Sequence, residues 1–252
     1  MASSPGTFTG FRREAIQFLA DLAVNNDRSW FQGRKADYEH LLKEPLEALC
    51  VALSERFEAR AIPLTADPAR SPFRIYRDVR FSRDKSPYKT NVGAAFPWTE
   101  GPGPGGGTGR GGAEGRSGAE GRSGAEGRGG AGGYFHFQPG EIFVGGGMWH
   151  PEPSRLAAWR GLVAGDPARA HAAIDDPAFL AEFGAVNGER LKRVPSGYPP
   201  DHPEVELLKL KDVVFGRSLS DDEALSAELP DILATSLGAA VPVLRLLASL
   251  PA

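Results

Sequence analysis

Six cationic side chains fall within one sixteen-residue run, RIYRDVRFSRDKSPYK, at Arg74, Arg77, Arg80, Arg83, Lys85 and Lys89. Only two carboxylates, Asp78 and Asp84, accompany them, leaving a surplus of four positive charges in a chain whose formal net charge is −3. Arginine's planar fork pairs with two oxygens of one phosphate or carboxylate at once, and lysine adds a point charge. The chemistry open to this run is therefore recognition of an anion. On a strand, alternate side chains share a face. Arg74, Tyr76, Asp78, Arg80 and Ser82 then form a polar face, and Ile75, Arg77, Val79 and Phe81 a core face. Arg77 on that core face requires a carboxylate or an escape to the sheet edge. The alternative is an internal ladder, with Asp78 and Asp84 holding the arginines while Lys85 and Lys89 solvate a turn. Charged strand faces of that kind also discourage edge pairing between molecules.

Two further segments carry candidate groups. In GGGMWHPEP, Gly145, Gly146 and Gly147 close a strand and allow near approach of a ligand or of another chain segment, or form a bulge that curves the sheet. The helix that follows has free amides at its start, which suit an anion. In LKRVPSGY, Lys192 and Arg193 add positive charge, and Asp201 beside His202 is either a proton-transfer pair or a helix cap. The proton-transfer candidates are thus His150 and His202, with Asp78 or Asp84 as a base or as the group that orients an arginine.

Other chemistries lack their patterns. His136, His150, His202, Asp78, Asp84, Asp201 and Glu152 show no HxH or HExxH spacing, so no metal site is expected. Neither a GxSxG elbow nor a Walker GK[ST] is present, and no cofactor is expected. The single cysteine, Cys50, falls on an apolar helix face and excludes an intramolecular disulfide framework. Residues 1–10 have neither a basic nor an apolar leader region, and no apolar run approaches the length of a membrane span. A soluble, cytoplasmic protein without membrane contact is the expectation.

Stepping outward to the elements, 41% of the 252 residues are hydrophobic, enough for a sizeable core. More than half of the 32 glycines lie in 99–133, where GAEGRS recurs at 112–117, 118–123 and, ending in Gly, at 124–129. Such a stretch cannot bury enough apolar surface to offset its ordering entropy, and reads as a flexible insert between two strands. Its arginines resemble RGG segments, but Arg110, Arg116, Arg122 and Arg128 are matched by Glu100, Glu114, Glu120 and Glu126. Net attraction for a nucleic-acid backbone is therefore about nil there.

Apolar spacing predicts a helix from Phe11, with Thr9 as cap and Asn25-Asn26 as stop. A second starts at Asp27 or Ser29, where Ser29 and Gln32 fit a capping box, and Pro45 marks a kink or a new start. Short β-branched or aromatic runs at 73–81, 90–96, 134–138 and 142–149 predict an antiparallel meander, with 213–215 as a fifth strand. Asp166-Pro167, Asp176-Pro177 and the Ser220/Glu223 box announce the later helices. Helices, strands, then helices give an α+β fold. We expect one domain over 1–252, with a sheet of four or five strands flanked by N- and C-terminal helices.

RIYRDVRFSRDKSPYKT, GGGMWHPEP and LKRVPSGY…DHPE, with FTGF and NNDRSWF near the start, resemble an uncharacterised family, domain of unknown function 2461. The likeness runs from about Phe8 to Phe215, and the long insert departs from it. The resemblance implies a stand-alone soluble domain and carries no catalytic residue across. The ligand expected from the residues themselves is a small phosphorylated or carboxylated anion, held by Arg74, Tyr76, Arg80, Ser82, Lys85, Lys89, Gly146, Gly147, Lys192 and Arg193. The alternative is a non-enzymatic module that docks a nucleic-acid backbone or an acidic protein partner. Whether the chain is an enzyme is left open by the sequence.

Overall fold

The computed structural model describes residues 6–80, 82–100 and 130–251. The N-terminal layer is α1 (Arg13–Val24), α2 (Arg28–Gly33) and α3 (Lys35–Tyr38), then a π-helical turn, Glu39–Lys43, leading into α4 (Glu44–Ala59). Pro45 sits in the first turn of α4, where its missing N–H costs nothing. Asp27 caps α2 by accepting from Trp30 N–H, and Ser29 donates to Asp27 rather than forming a box with Gln32. Thr9 does not cap α1. Gly10 adopts φ +97°, and a Cβ there would lie 2.2 Å from the Leu225 carbonyl oxygen. The chain is not yet helical at that contact, and Phe11 reaches the sheet to stack at 4.6 Å on Phe137.

The sheet has four strands in the order β1 (Val92–Pro97), β2 (Gly132–Gln138), β3 (Glu141–Met148) and β4 (Val213–Ser218), all antiparallel. Pairing of Phe135 with Ala94 and Val144 fixes the faces. Phe96, Phe135, Phe137, Val144, Met148, Val213 and Phe215 point into the core. There Phe57 of α4 meets Phe96 edge-on at 5.7 Å. The opposite face carries Tyr134, His136 and Phe143, half-buried and polar-edged.

The described residues of the predicted first strand, 73–81, are not part of the sheet's strands. Among the described residues, this stretch meets other backbone at isolated bridges, Pro72 to Ala94 and Tyr76 to Tyr88. Its alternation is nonetheless real: Phe73 and Ile75 are buried while Arg74, Tyr76, Asp78 and Arg80 are exposed. Residues 71–80 and 82–91 therefore form a strap along the outer edge of β1. The glycine-rich segment joins β1 to β2, as expected, but β2 already includes Gly132 and Gly133, so the segment's end is sheet. Residues 101–129, where the flexible insert was placed, lie outside the described residues.

The C-terminal layer is α5 (Pro153–Gly165), α6 (Pro167–Ile174), α7 (Pro177–Phe183), α8 (Val205–Leu208), α9 (Asp221–Leu225), α10 (Leu229–Ala239) and α11 (Val241–Ala248). Asp166, Asp176 and the Ser220/Glu223 box cap their helices as the sequence indicates. Phe179 and Phe183 of α7 close on Phe215 of β4 at 5.3 and 4.7 Å. Among the described residues no single helix is long and apolar enough to cross a membrane; the α10–α11 pair, bent by 57°, passes that test only jointly.

Candidate functional site

The strap is positioned by the N-terminal helices. Asn26, between α1 and α2, donates its side-chain amide to the Tyr88 carbonyl and accepts the Tyr88 N–H, each at 3.0 Å. Phe31 of α2 stacks on Tyr88 at 4.0 Å, and Tyr76 tilts over Tyr88 at 5.5 Å. Backbone bonds from Lys89 N–H to Ile75 and from Arg77 N–H to Pro87 close the strap on itself. An exposed, charged segment is thus held by a buried aromatic column. The sequence pattern marked Asn26 only as a helix stop, and its clasp on Tyr88 was not legible there.

The charges then sort themselves. Arg80 lays its fork on Asp78, with its Nη2 at 2.7 Å, and Asp78 also accepts the Arg80 N–H. Arg77 finds the partner its position requires in Asp84, which also accepts the Ser86 N–H and hydroxyl. Hydrogen bonds from the Arg80 side chain and backbone pull the Asp78 carboxyl down to about 2. Ser86, then Arg77, hold Asp84 lower still. Both carboxylates are therefore ionised and already engaged. Arg74, Arg83 and Lys85 are exposed beyond them, with Lys85 Nζ on the Val79 carbonyl and Ser82 half-buried.

Lys89 lies at the strap's inner end, only 9% exposed, with Nζ 5.2 Å above the Phe73 ring. Phe73 in turn stacks at 5.8 Å on Tyr134 of the outer sheet face. The Tyr134 hydroxyl lies 2.9 Å from His136 Nδ1, and the Asn91 amide lies 3.5 Å from the same nitrogen. Burial pushes the Tyr134 phenol up, so its hydroxyl stays neutral and can donate or accept on Nδ1. A polar nook of Lys89, Asn91, Tyr134 and His136 therefore adjoins the strap. Sequence reasoning weighed His136 only as a metal ligand. The alternation of Tyr134, Phe135, His136 and Phe137 was the signal that Tyr134 and His136 share a face.

The other candidates lie elsewhere. Gly146 and Gly147 are packed by protein: a Cβ on Gly146 would lie 2.5 Å from the Gly132 carbonyl oxygen, and one on Gly147 2.2 Å from that of Val213. His150, at φ +45°, is fixed by its own N–H, which donates to the buried Asp212 carboxylate at 2.6 Å. Its imidazole packs on Trp149 at 4.1 Å. His202 Nδ1 accepts from Glu204 N–H at 3.0 Å, so the histidine, rather than Asp201, closes that turn. Lys192 and Arg193 are exposed and follow the segment in which Asn187 bridges to Val214 of β4. All four strands separate that edge from the strap. Among the described residues, no three His, Cys, Asp or Glu side chains gather into a metal-binding group.

A family model described as "Conserved hypothetical protein (DUF2461)" matches residues 14–245. The chain belongs to that family. The match runs through the strap and the sheet, as the sequence resemblance implies; it leaves out the FTGF segment at 8–11 and extends beyond Phe215 through all but the last turn of the C-terminal helices. No curated protein and no solved structure shows significant similarity to the chain.

Proposed function

We propose that this DUF2461 protein binds a phosphorylated or carboxylated anion on the strap, with Arg74, Arg83 and Lys85 at the rim and Lys89 at the inner end. The observation that carries this reading is the charge inventory in place. Asp78 and Asp84 are spent on Arg80 and Arg77, while Arg83 is exposed and Lys85, exposed too, meets only the neutral Val79 carbonyl, on a strap whose backbone is clamped by Asn26 and the Phe31–Tyr88 stack. A clamped backbone lowers the ordering cost that a flexible cationic loop incurs on binding. Ser82 and Tyr76 add hydroxyl donors on the same segment.

A second reading, docking of an acidic partner or a nucleic-acid backbone, is favoured by one observation: the rim cations stand on an open surface. The hollows found among the helices, such as those of about 380 and 300 Å³, lie away from the strap. Salt separates the two readings, because release of counterions from a polyanion makes its binding fall steeply with salt.

The test is a thermal-shift titration with inorganic pyrophosphate, citrate and a short DNA duplex at low and moderate salt. Wild type is compared with R83A and K85A. Pyrophosphate or citrate should raise Tm in wild type by mass action, and each variant should need several-fold more ligand for the same rise. Equal responses in wild type and both variants would remove the strap from the binding site. A response to duplex alone, lost at moderate salt, would favour the second reading.

A further inference from the structure

Tyr76 stands apart from the other described rings of the strap. It is 49% exposed, whereas the other described strap rings are buried: Phe73 at 8% and Tyr88 at 2%. Its inner side is held by Tyr88 at 5.5 Å and by Phe31, edge-on at 6.5 Å. Those two rings stack on each other at 4.0 Å, so Tyr76 is the outermost member of an aromatic column whose lower rings are fixed in the core. A tyrosine restrained in this way offers an apolar ring surface to solvent at little entropic cost on binding.

The neighbours of that ring are charged. Alternation places Arg74 and Asp78 on the same exposed side, one on each flank of Tyr76. Asp78 in turn brings the Arg80 guanidinium back along the strap. A restrained ring with guanidinium groups beside it is the combination that recognises a planar heterocycle joined to a phosphate: the base stacks and the phosphate pairs.

Resting on the proposed anion site, we infer that its ligand is a free nucleoside phosphate, with the base on Tyr76 and the phosphates toward Arg74, Arg83 and Lys85. Tracking along a nucleic-acid strand uses successive stacking rings. The described part of the strap exposes one, which matches a single base.

Calorimetric titration of the full chain, with a chelator present, compares ATP with inorganic tripolyphosphate, the same phosphate chain without base or ribose. A short oligothymidylate is the third ligand. ATP should bind about ten-fold more tightly than tripolyphosphate, the contribution of one stacked base. Y76L should bring ATP down to the affinity of tripolyphosphate measured in the same variant, and Y76W should retain the preference, which separates loss of the ring from loss of the fold. Equal affinities for ATP and tripolyphosphate, unaltered in Y76L, would overturn the nucleoside assignment and leave the anion site standing. Failure of both to bind would overturn the two together. Tighter binding of the oligothymidylate than of ATP at physiological salt would overturn the free-nucleotide assignment in favour of a strand.

Discussion

The strap and the ion-pair knot around Arg217 are built from the same residue types and serve opposite ends. In the knot, Arg217 of β4 reaches Glu182 of α7 at 2.5 Å and Glu223 of α9 at 3.0 Å. Ser236 of α10, fully buried, donates to the same Glu182 at 2.5 Å. Beside it, Asp231 of α10 takes both Arg56 and Arg60 from the α4 end of the chain. Each of those arginines reaches a carboxylate on an element distant in sequence. On the strap, the two pairs are local, linking residues two and seven apart, and further cations stand beyond them. Charge alone therefore does not mark a binding site. A charge spent on joining elements is structural; the proposed anion site rests instead on the exposed Arg83 and Lys85 of a clamped segment.

The largest effect should come from the knot. E182A strands the buried Ser236 hydroxyl and removes one of the two carboxylates from Arg217, at a cost of about 2 kcal/mol. For a chain of this size that lowers Tm by about 4–8 °C, read by calorimetric melting, with anion binding at the strap unchanged. N26A comes next. It leaves the Tyr88 N–H and carbonyl without their side-chain clasp, at about 1 kcal/mol. Amide hydrogen exchange should quicken across 74–89 while the β2 and β3 amides stay protected.

A smaller effect concerns pH. His171 of α6 lies between Glu204, 3.0 Å from Nε2, and Asp175, 2.8 Å from Nδ1. Hydrogen bonds to Glu204 and then Asp175 raise its pKa above the ordinary 6.5. A raised folded-state pKa means the stabilisation is complete below 6.5 and is lost as pH climbs through the higher folded value. Wild type should therefore lose Tm across that window more steeply than H171Q, measured in matched buffers. The smallest effect is on the strap itself. D78N should leave Tm unaltered, because the Asp78–Arg80 pair is solvated. It should tighten pyrophosphate binding by several-fold, because one negative charge that repels the anion is removed from beside the rim cations.

Local signals carried most of the fold into the sequence. Asp166, Asp176 and Ser220 cap helices because a side-chain oxygen and the first-turn amides are neighbours in the chain. The runs at 90–96, 134–138, 142–149 and 213–215 became β1 to β4 because their apolar alternation matches a half-buried sheet. The run at 73–81 alternates equally well but lacks a continuous partner. Alternation reports burial on one side and does not report whether a neighbouring ladder exists. Long-range partners were the other blind spot. Asn26 on Tyr88, Asp212 on the His150 amide, and the meeting of Arg217, Glu182 and Ser236 join residues that no local spacing relates. The cationic run was legible as a run. That Asp78 and Asp84 hold arginines was one of its two readings; which arginines they take, and the clamp by Asn26 and Phe31, needed three dimensions.

The most direct test of the strap as the anion site is amide-resolved NMR of the full chain titrated with pyrophosphate. The account predicts shifts concentrated between Arg74 and Lys89, with Glu182, Arg217 and Asp231 unmoved. Shifts centred on the knot, or none that saturate with ligand, would contradict it.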